Sequence, residues 1–225
     1  MLSKLKEVEN QVQNLYTDNS LSSRACSLSK FVFDWSHRYC EFTYPGKTEQ
    51  IRILELGSST NDHMRHCQQN FSEYILSDLN IKILESIELP PRVSILEINA
   101  RCIKDKIKDD RFDRVIACNL LEHLPNPEQM IIEWLEVVKP KGFLTLLQPC
   151  DPGALWRFGR NLGPRRNAYK NGFDYDLIMA LEHINPISNI ITICDELCIN
   201  KKNSYFPFFF KSWNFNLYYV CHIRK

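Results

Sequence analysis

Between residues 50 and about 148, short apolar runs alternate with polar or helix-like segments. Most of the runs are continuously apolar, which is typical of strands covered on both faces of a parallel sheet. The segments between them leave room for crossover helices, and PEQMIIEWLEVVK (127–139) has the apolar spacing of one. The pattern predicts an α/β fold with a doubly wound, Rossmann-like sheet. The runs are IRILEL (51–56), YIL (74–76), VSILEI (93–98), DRVIAC (113–118) and GFLTLLQ (142–148).

The regions that flank this sheet have different patterns. Residues 1–45 carry apolar positions at three- and four-residue spacing, including Leu2, Leu5 and Val8, and they predict helix. Residues 149–172 contain four of the seven glycines of the chain and predict a loop-rich insertion or lid. After that insertion the pattern predicts helices at 174–184 and 187–198, followed by strands at 204–210 and 214–225.

Composition places the chain among ordinary globular proteins. Its 225 residues are 44% apolar and 24% charged, which is enough for one domain with a sizeable core. The formal net charge of +1 gives no global attraction to nucleic acid or to a membrane surface. No apolar stretch reaches the ~18 residues that a membrane-spanning helix needs, and the charged N-terminus does not resemble a secretory signal.

The nine cysteines are scattered along the chain and odd in number. This usage predicts reduced, mostly buried thiols in a cytoplasmic protein. Cys194 and Cys198 are four residues apart, but no second close pair accompanies them, so the spacing predicts no metal site there.

The first strand ends at an acid and a glycine, within RILELGSSTNDH (52–63). In a doubly wound sheet, ligands bind beyond the carboxyl ends of the strands, where the strand order reverses. Gly57 permits a tight turn there, and a helix predicted to begin near Thr60 would offer free N–H groups. We therefore expect Glu55 and Gly57 to face a ligand, although Glu55 has the alternative role of capping the next helix.

The composition of this turn excludes a phosphate-binding loop. Ser59 stands where the G-x-G-x-x-G pattern needs its second glycine, and no Lys-Ser/Thr pair follows. The carboxylate of Glu55 would repel a pyrophosphate but suits a cationic or amine group. The turn therefore predicts a ligand that carries positive charge next to a nucleoside.

The next two strands end in residues that suit such a nucleoside. Asp78 follows the second strand, where an acid accepts hydrogen bonds from vicinal ribose hydroxyls; its alternative role is to cap the helix at LNIKILESI. Asn99 and Ala100 follow the third strand. The Asn99 amide oxygen is suited to accept from an adenine amino group, and the Ala100 N–H to donate to a ring nitrogen.

The fourth strand begins the block FDRVIACNLLEHLPNPEQM (112–130), which LEVVKPKGFLTLLQP (135–149) follows. With LELGSSTNDH, SDLN and NA before them in the same order, these blocks resemble the class I S-adenosylmethionine-dependent methyltransferases. The resemblance covers roughly residues 50–150 and is closest to a small-molecule branch with an LEHLPxP block. It implies S-adenosylmethionine as cofactor and a seven-stranded sheet, mostly parallel with the last strand antiparallel, with helices on both faces.

We expect a single methyltransferase domain over residues 1–225, made of four parts. They are an N-terminal helical segment (1–49), a cofactor-binding core (50–148), a lid or substrate insertion (149–185), and a C-terminal helix and strands (186–225). The resemblance also implies the cofactor contacts: Glu55, Gly57 and Ser59 near the methionine part, Asp78 and Leu79 at the ribose, Asn99 and Ala100 at the adenine, and Cys118 and Asn119 beside the methionyl group.

The turn GSSTN departs from the family's usual G-x-G-x-G pattern. Asn61 is tolerable because asparagine visits left-handed conformations more readily than most residues. Ser59 adds a side chain where the family's backbone lies against the cofactor. This departure keeps open the alternative that the chain is a non-catalytic partner subunit with a methyltransferase fold.

Glu122 and His123 follow the fourth strand at the same edge of the sheet. His123 is the candidate general base because an imidazole of ordinary pKa suits taking a proton from a hydroxyl; the alternative is a structural histidine. Some methyltransferases bind a metal through Glu-x-x-Glu-His and a later histidine, which here would be His183. Asn119 replaces the first glutamate, so the sequence predicts no metal.

Residues 154–172 contain five cations and no acid, with aromatic residues among them. Arginines recognise phosphate or carboxylate bidentately, which predicts a lid over an anionic acceptor such as a phosphorylated or lipid-linked sugar. A solvated basic loop and an RNA surface are the alternatives, and the neutral overall charge argues against RNA. The candidate substrate-binding residues are Trp156, Arg157, Arg160, Arg165, Tyr175 and His183.

These interpretations together predict a cytoplasmic methyltransferase. Its expected reaction is O- or N-methylation of a small-molecule or saccharide/lipid-linked acceptor. An RNA methyltransferase and the non-catalytic subunit are the alternatives.

Overall fold

The computed structural model describes residues 27–46, 50–107 and 111–225. The helix predicted around residues 2–15 lies outside this range. The described part contains one seven-stranded sheet with the order β3-β2-β1-β4-β5-β7-β6. The first five strands are parallel, and β7 runs antiparallel to both β5 and β6, as predicted for the family. The strands are β1 Ile51–Leu56, β2 Phe71–Asp78, β3 Val93–Glu97, β4 Phe112–Cys118, β5 Val138–Pro149, β6 Lys201–Phe206 and β7 Tyr218–Arg224.

The continuous apolar runs arise because both faces of the central strands are covered. Ile53 packs in the cluster on one face, with Tyr74 and Ile116. Its neighbour Leu54 packs in the cluster on the other face, which contains Trp134. Successive strand side chains point to opposite faces, so a strand buried twice has apolar residues at every position.

Helices and short 3-10 turns connect and cover the strands. The helix predicted at 127–139 is α3, which buries Met130, Ile131 and Trp134 against the sheet. The helices are α1 Ser27–Thr43, α2 Lys82–Glu85, α3 Pro127–Glu136, α4 Ala154–Leu162, α5 Pro164–Lys170, α6 Tyr175–Glu182 and α7 Ile187–Leu197. Within the described ranges, four 3-10 turns lie between these elements, at Met64–His66, Ile103–Asp105, Leu121–His123 and Trp213–Phe215.

The prediction that a helix begins near Thr60 is wrong. Turns follow β1, and only the 3-10 turn at Met64–His66 precedes β2. The connecting segment GSSTNDHMRHCQQN has no apolar stripe that would bury a helix face, so tertiary packing cannot stabilise one. Any backbone donors at this edge of the sheet therefore come from turns.

The prediction that residues 149–172 are rich in loops is also wrong, because α4 and α5 occupy most of these residues. Gly153 and Gly163 precede the two helices, and Pro164 is the first residue of α5, where its fixed φ suits a helix start. The strand predicted at 204–210 ends earlier, at Phe206, because Pro207 has no N–H for the sheet ladder.

In the part of the chain that the structure describes, one stretch, Tyr175–Leu197, is long and apolar enough by length and composition to cross a membrane. The structure divides it into α6 and α7, and α7 buries Ile187, Ile190 and Cys194 against the core. This single stretch is weak evidence for a membrane span, since core helices pass the same test.

Candidate functional site

A cavity of about 820 Å³ opens at the carboxyl ends of the parallel strands, over the point where the strand order reverses between β1 and β4. Its volume falls within the range of small-molecule sites, ~300–1,000 Å³. All residues predicted to bind the cofactor line it: Glu55, Gly57, Ser59, Asp78, Leu79, Asn99, Ala100, Cys118 and Asn119. His123, Trp156, Tyr175 and His183 line the same cavity.

The turn after β1 takes left-handed backbone at three positions. Gly57 has φ 66°, Ser59 has φ 44° and Asn61 has φ 60°. A Cβ on Gly57 would lie 2.9 Å from Leu120 Cδ1, so the glycine meets both a backbone and a space requirement. The Ser59 side chain does not close the cavity, which extends past it to Asp78.

Asp78 fixes this turn through backbone hydrogen bonds. Its Oδ2 accepts from the Ser59 N–H at 2.9 Å, and its Oδ1 accepts from the Asn80 N–H at 3.0 Å. An ionised carboxylate has about four acceptor positions, so two remain for a ligand. Asp78 does not cap α2, whose N-cap is Ile81 without a side-chain cap.

Asn99 is placed less favourably for the predicted adenine contact. Its side-chain Oδ1 accepts from the Arg101 N–H at 3.0 Å, so the amide oxygen already closes a local turn. The carbonyl of Ala100 accepts from Trp134 Nε1 at 2.8 Å, which anchors this loop to α3. The loop after β3 is therefore held in place beside the cavity.

Glu55 is almost fully buried at the base of the cavity. Its Oε2 accepts from the Tyr74 hydroxyl at 2.5 Å. Burial raises the pKa of Glu55, while His63 and the Tyr74 hydroxyl oppose that shift. A cationic group in the cavity would favour the ionised carboxylate.

Sequence reasoning missed a buried histidine pair at this end of the cavity. His37 on α1 and His63 after β1 have their Nδ1 atoms 2.9 Å apart, and His63 Nε2 lies 3.0 Å from Glu41 Oε1. If both rings are neutral, His63 donates from Nε2 to Glu41 and accepts from His37 Nδ1–H, which leaves a lone pair on His37 Nε2. That atom is buried without a hydrogen-bond partner among the described residues. The signal in the sequence was the spacing of His37 and Glu41, one helical turn apart on α1.

A second cluster of Glu122, His123 and His183 lies toward α6. His123 Nδ1 is 2.9 Å from the backbone carbonyl of Glu182, and the two imidazole rings meet edge to face at 5.0 Å. Burial lowers the pKa of His123 to about 4, with a further contribution from His183. Burial raises the pKa of Glu122 to about 8. Glu122 and His123 are therefore held largely uncharged near neutral pH, and His123 is a weaker base than the imidazole of ordinary pKa that the sequence led us to expect.

The predicted substrate arginines lie in a different cavity. Arg157, Arg160 and Arg165 line an adjoining space of about 480 Å³, which shares Met179 and His183 with the larger cavity. Arg165 donates from Nε and Nη2 to the two oxygens of the Asp176 carboxylate. The predicted set is thus divided, with Trp156, Tyr175 and His183 on the cofactor side and the arginines beyond His183.

Comparison with known proteins identifies the kind of domain. Residues 54–146 match the family described as a methyltransferase domain. No curated protein matches the chain. Three of the solved structures that share the fold are as follows. The plantazolicin methyltransferase BpumL in complex with SAH matches at 13% identity, TM-score 0.64, covering 100% of this chain and 98% of that one. A SAM-dependent methyltransferase of Thermotoga maritima, described as a possible histamine N-methyltransferase, matches at 14% identity and TM-score 0.59, covering 100% of both chains. The N-methyltransferase NodS of Bradyrhizobium japonicum WM9, in complex with S-adenosyl-L-homocysteine, matches at 11% identity and TM-score 0.54, covering 87% of each chain.

The sheet order and the cavity at its switch point define the class I methyltransferase fold. The family match over residues 54–146 agrees with this fold. BpumL and NodS were solved with S-adenosylhomocysteine bound, and S-adenosylmethionine is the cofactor that the sequence of this chain predicts. The cavity fits this molecule because it is large enough, keeps an open path beside Ser59, and presents the carboxylates of Glu55 and Asp78 at two strand ends.

Proposed function

We propose that this enzyme transfers a methyl group from S-adenosylmethionine to an oxygen or nitrogen of a small-molecule or saccharide/lipid-linked acceptor. The carrying observation is that the cofactor-side residues and the cluster around His123 and His183 line one continuous cavity. An acceptor that enters from the α6 side can therefore reach the reacting methyl group without leaving the protein.

The cofactor side supplies acceptors where the ligand carries donors. Glu55 and the free lone pair of His37 receive the ammonium group of the methionine part, with Cys118 and Asn119 beside it. Asp78 receives the ribose hydroxyls through the oxygen positions that Ser59 and Asn80 leave free. Leu79, Asn99 and Ala100 surround the adenine. The chain thus complements a cationic nucleoside by hydrogen-bond acceptors.

The bound cofactor supplies an electrophilic methyl group on sulfur. The protein contributes positioning and the exclusion of water, which can account for much of the barrier to such a displacement. Trp156 and Tyr175 border the acceptor's path. The nitrogen of His123 that is free to meet a ligand is Nε2, because its Nδ1 is engaged by the Glu182 carbonyl.

An anionic part of the acceptor would occupy the adjoining cavity. Arg157 and Arg160 line that space. Arg160 Nε is buried there without a hydrogen-bond partner in the described part of the chain, although its Nη1 lies 3.7 Å from Asp151 Oδ1. Arg165 is already neutralised by Asp176, so the basic segment carries less free charge than its sequence indicates. This supports a small anion over RNA. We place the reaction in the cytoplasm because the described cysteines are free thiols.

A calorimetric titration with S-adenosylhomocysteine tests the cofactor part of this proposal. We expect saturable binding that Asp78→Ala weakens by more than tenfold. Asp105→Ala is the matched control, since Asp105 is exposed and outside the cavity. No saturable binding to the wild type would instead favour the non-catalytic subunit.

Mass spectrometry of a cell extract incubated with the enzyme and methyl-labelled cofactor then identifies the acceptor.

A further inference from the structure

The cluster of Glu122, His123 and His183 has the composition of a metal site. One ligand atom from each residue, two imidazole nitrogens and a carboxylate oxygen, all lie within 4.8 Å of one another. Glu122 and His123 belong to the 3-10 turn after β4, and His183 follows α6. The three residues line the cavity in which we place the cofactor and the acceptor.

The hydrogen bonds of the two histidines determine which nitrogen is free. His183 Nδ1 lies 2.9 Å from Asp151 Oδ2, and His123 Nδ1 lies 2.9 Å from the Glu182 carbonyl oxygen. A carbonyl and a carboxylate both accept, so each ring carries its proton on Nδ1 and keeps a lone pair on Nε2. Metal-binding histidines are held in this way, with the other nitrogen donating to a carboxylate or a carbonyl.

The Glu122 carboxylate is buried, and one of its two oxygens has no hydrogen-bond partner among the residues that the structure describes. Glu122 is 3% exposed, and its Oε2 has no hydrogen bond within the described residues. Its Oε1 lies 3.7 Å from His123 Nε2, which is too far for a hydrogen bond. Two ligand atoms on one tetrahedral cation with bonds of ~2.1 Å lie about 3.4 Å apart, so this pair is already spaced for a shared ion.

The surrounding structure fixes the relative position of the turn and the connector after α6. The side-chain amide of Asn185 donates to the carbonyls of Leu121 at 2.8 Å and Leu124 at 2.5 Å. The Asn185 N–H donates to the carbonyl of Glu122 at 3.1 Å. These three bonds hold His183 beside Glu122 and His123, which is the supporting order a metal site needs.

We infer that Glu122, His123 and His183 bind a divalent transition-metal cation such as zinc, manganese or iron. Imidazole nitrogen with one carboxylate oxygen suits these ions. The sequence predicted no metal because Asn119 removes a carboxylate; the fold keeps three ligands without it. A single anionic ligand leaves the site with positive charge, which would attract an acceptor oxygen.

The catalytic role of this cation rests on the proposed methyl transfer, although its binding does not. A hydroxyl of the acceptor coordinated to the ion loses its proton to solvent more readily. The oxygen lone pair then forms the new bond to the methyl carbon as the carbon–sulfur bond breaks. The electron pair of the broken carbon–sulfur bond stays on sulfur, so the cofactor is left as a neutral thioether. The inference therefore favours O-methylation over N-methylation.

Cobalt(II) titration of the full chain, after chelator treatment and without cofactor, tests the binding. We expect one cobalt per chain with d–d absorption, lost in Glu122→Gln, His123→Asn and His183→Asn. Asp151→Ala keeps all three ligands but removes the acceptor for His183 Nδ1–H, so it should weaken binding ~10–100-fold. This variant also serves if a ligand variant fails to fold.

The matched control is His37→Asn, because His37, His63 and Cys118 form the other described cluster that could hold an ion. We expect the His37→Asn variant to keep cobalt binding, because the Nδ1 atoms of His37 and His63 are hydrogen-bonded to each other in that other cluster. Loss of cobalt in His37→Asn alone, equal binding by every variant, or no binding by the wild type would overturn the inference. Binding of S-adenosylhomocysteine by metal-free protein separates these results from a failure of the proposed function.

Discussion

The Glu41 carboxylate and the Arg114 guanidinium meet at 2.6 Å, and neither side chain is exposed to solvent. This ion pair joins α1 to β4. Arg114 also donates to Thr145 on β5 at 3.0 Å and lies over the Tyr44 ring, while Glu41 contacts His63. The pair therefore links α1 to the sheet and to the histidines at the cofactor end of the cavity.

Removing one partner of this pair should be strongly destabilising. We expect Glu41→Gln to lower the free energy of unfolding by about 3–5 kcal/mol, because it leaves the Arg114 charge buried and uncompensated. Urea denaturation followed by circular dichroism measures this. Replacing Arg52, whose pair with Glu73 is partly exposed, by Met is the control and should cost about 1 kcal/mol or less. Equal losses in both variants would contradict a special role for the buried pair.

The same pair predicts a pH dependence of stability. Burial alone would raise the pKa of Glu41, but Arg114 and His63 hold it well below its ordinary value. Its contribution is therefore fully present above the unfolded pKa, about 4.3, and is lost as the pH falls toward the folded value. We expect the stability difference between wild type and Glu41→Gln to be constant from pH 7 to about 5 and to narrow below that. A difference that widened on acidification would show that the sign is wrong.

Alanine substitutions at Gly57 and Gly172 separate two effects of an added side chain, which are backbone strain and steric contact with neighbouring atoms. Both have positive φ, 66° and 81°, but a Cβ on Gly172 meets nothing within 4 Å. We expect Gly57→Ala and Gly172→Ala each to cost about 1–2 kcal/mol of stability through left-handed backbone. Only Gly57→Ala should also weaken S-adenosylhomocysteine binding, by tenfold or more, because its Cβ pushes Leu120 at the cavity. Calorimetry on both variants decides this, and equal affinities would remove Gly57 from the site.

Most of the fold could be predicted from the sequence because β1, β4 and β5 are buried on both faces, and that leaves an unbroken apolar run. The residues at the edge of the sheet that lines the large cavity could be predicted as well, because the end of each apolar run marks the end of a strand. The turn after β1 was mispredicted as a helix start, since only the absence of an apolar stripe distinguishes it.

The missed part of the candidate site depends on contacts between residues far apart in the chain. His37 and His63 are brought together by α1 docking, which the pattern of α1 alone does not reveal. Asp151 contacts His183 only because α6 folds back over the end of β5. Predicting such contacts needs the packing of helices, which the sequence pattern does not specify.

Ser59 should respond to substitution in the opposite direction to Gly57. A non-glycine residue at φ 44° is strained, and Ser59 projects a side chain at the cofactor cavity. We expect Ser59→Gly to tighten S-adenosylhomocysteine binding without lowering the melting temperature. Its backbone N–H still reaches Asp78, so the turn keeps its hydrogen bond. Weaker binding by this variant would mean that the serine hydroxyl itself holds the cofactor.

Asn185 should act on the metal cluster without touching its ligands. Its side chain bridges two carbonyls of the segment Leu121–Leu124, so Asn185→Ala leaves both without that donor and should cost about 1–3 kcal/mol of stability. We expect amide exchange to accelerate in this segment and cobalt affinity to fall while Glu122, His123 and His183 remain. Asn189→Ala is the control, because Asn189 is exposed on α7 and outside both cavities. If cobalt affinity were unchanged while exchange accelerated, the ligands would not depend on this clamp, and the connector would serve only the stability of α6.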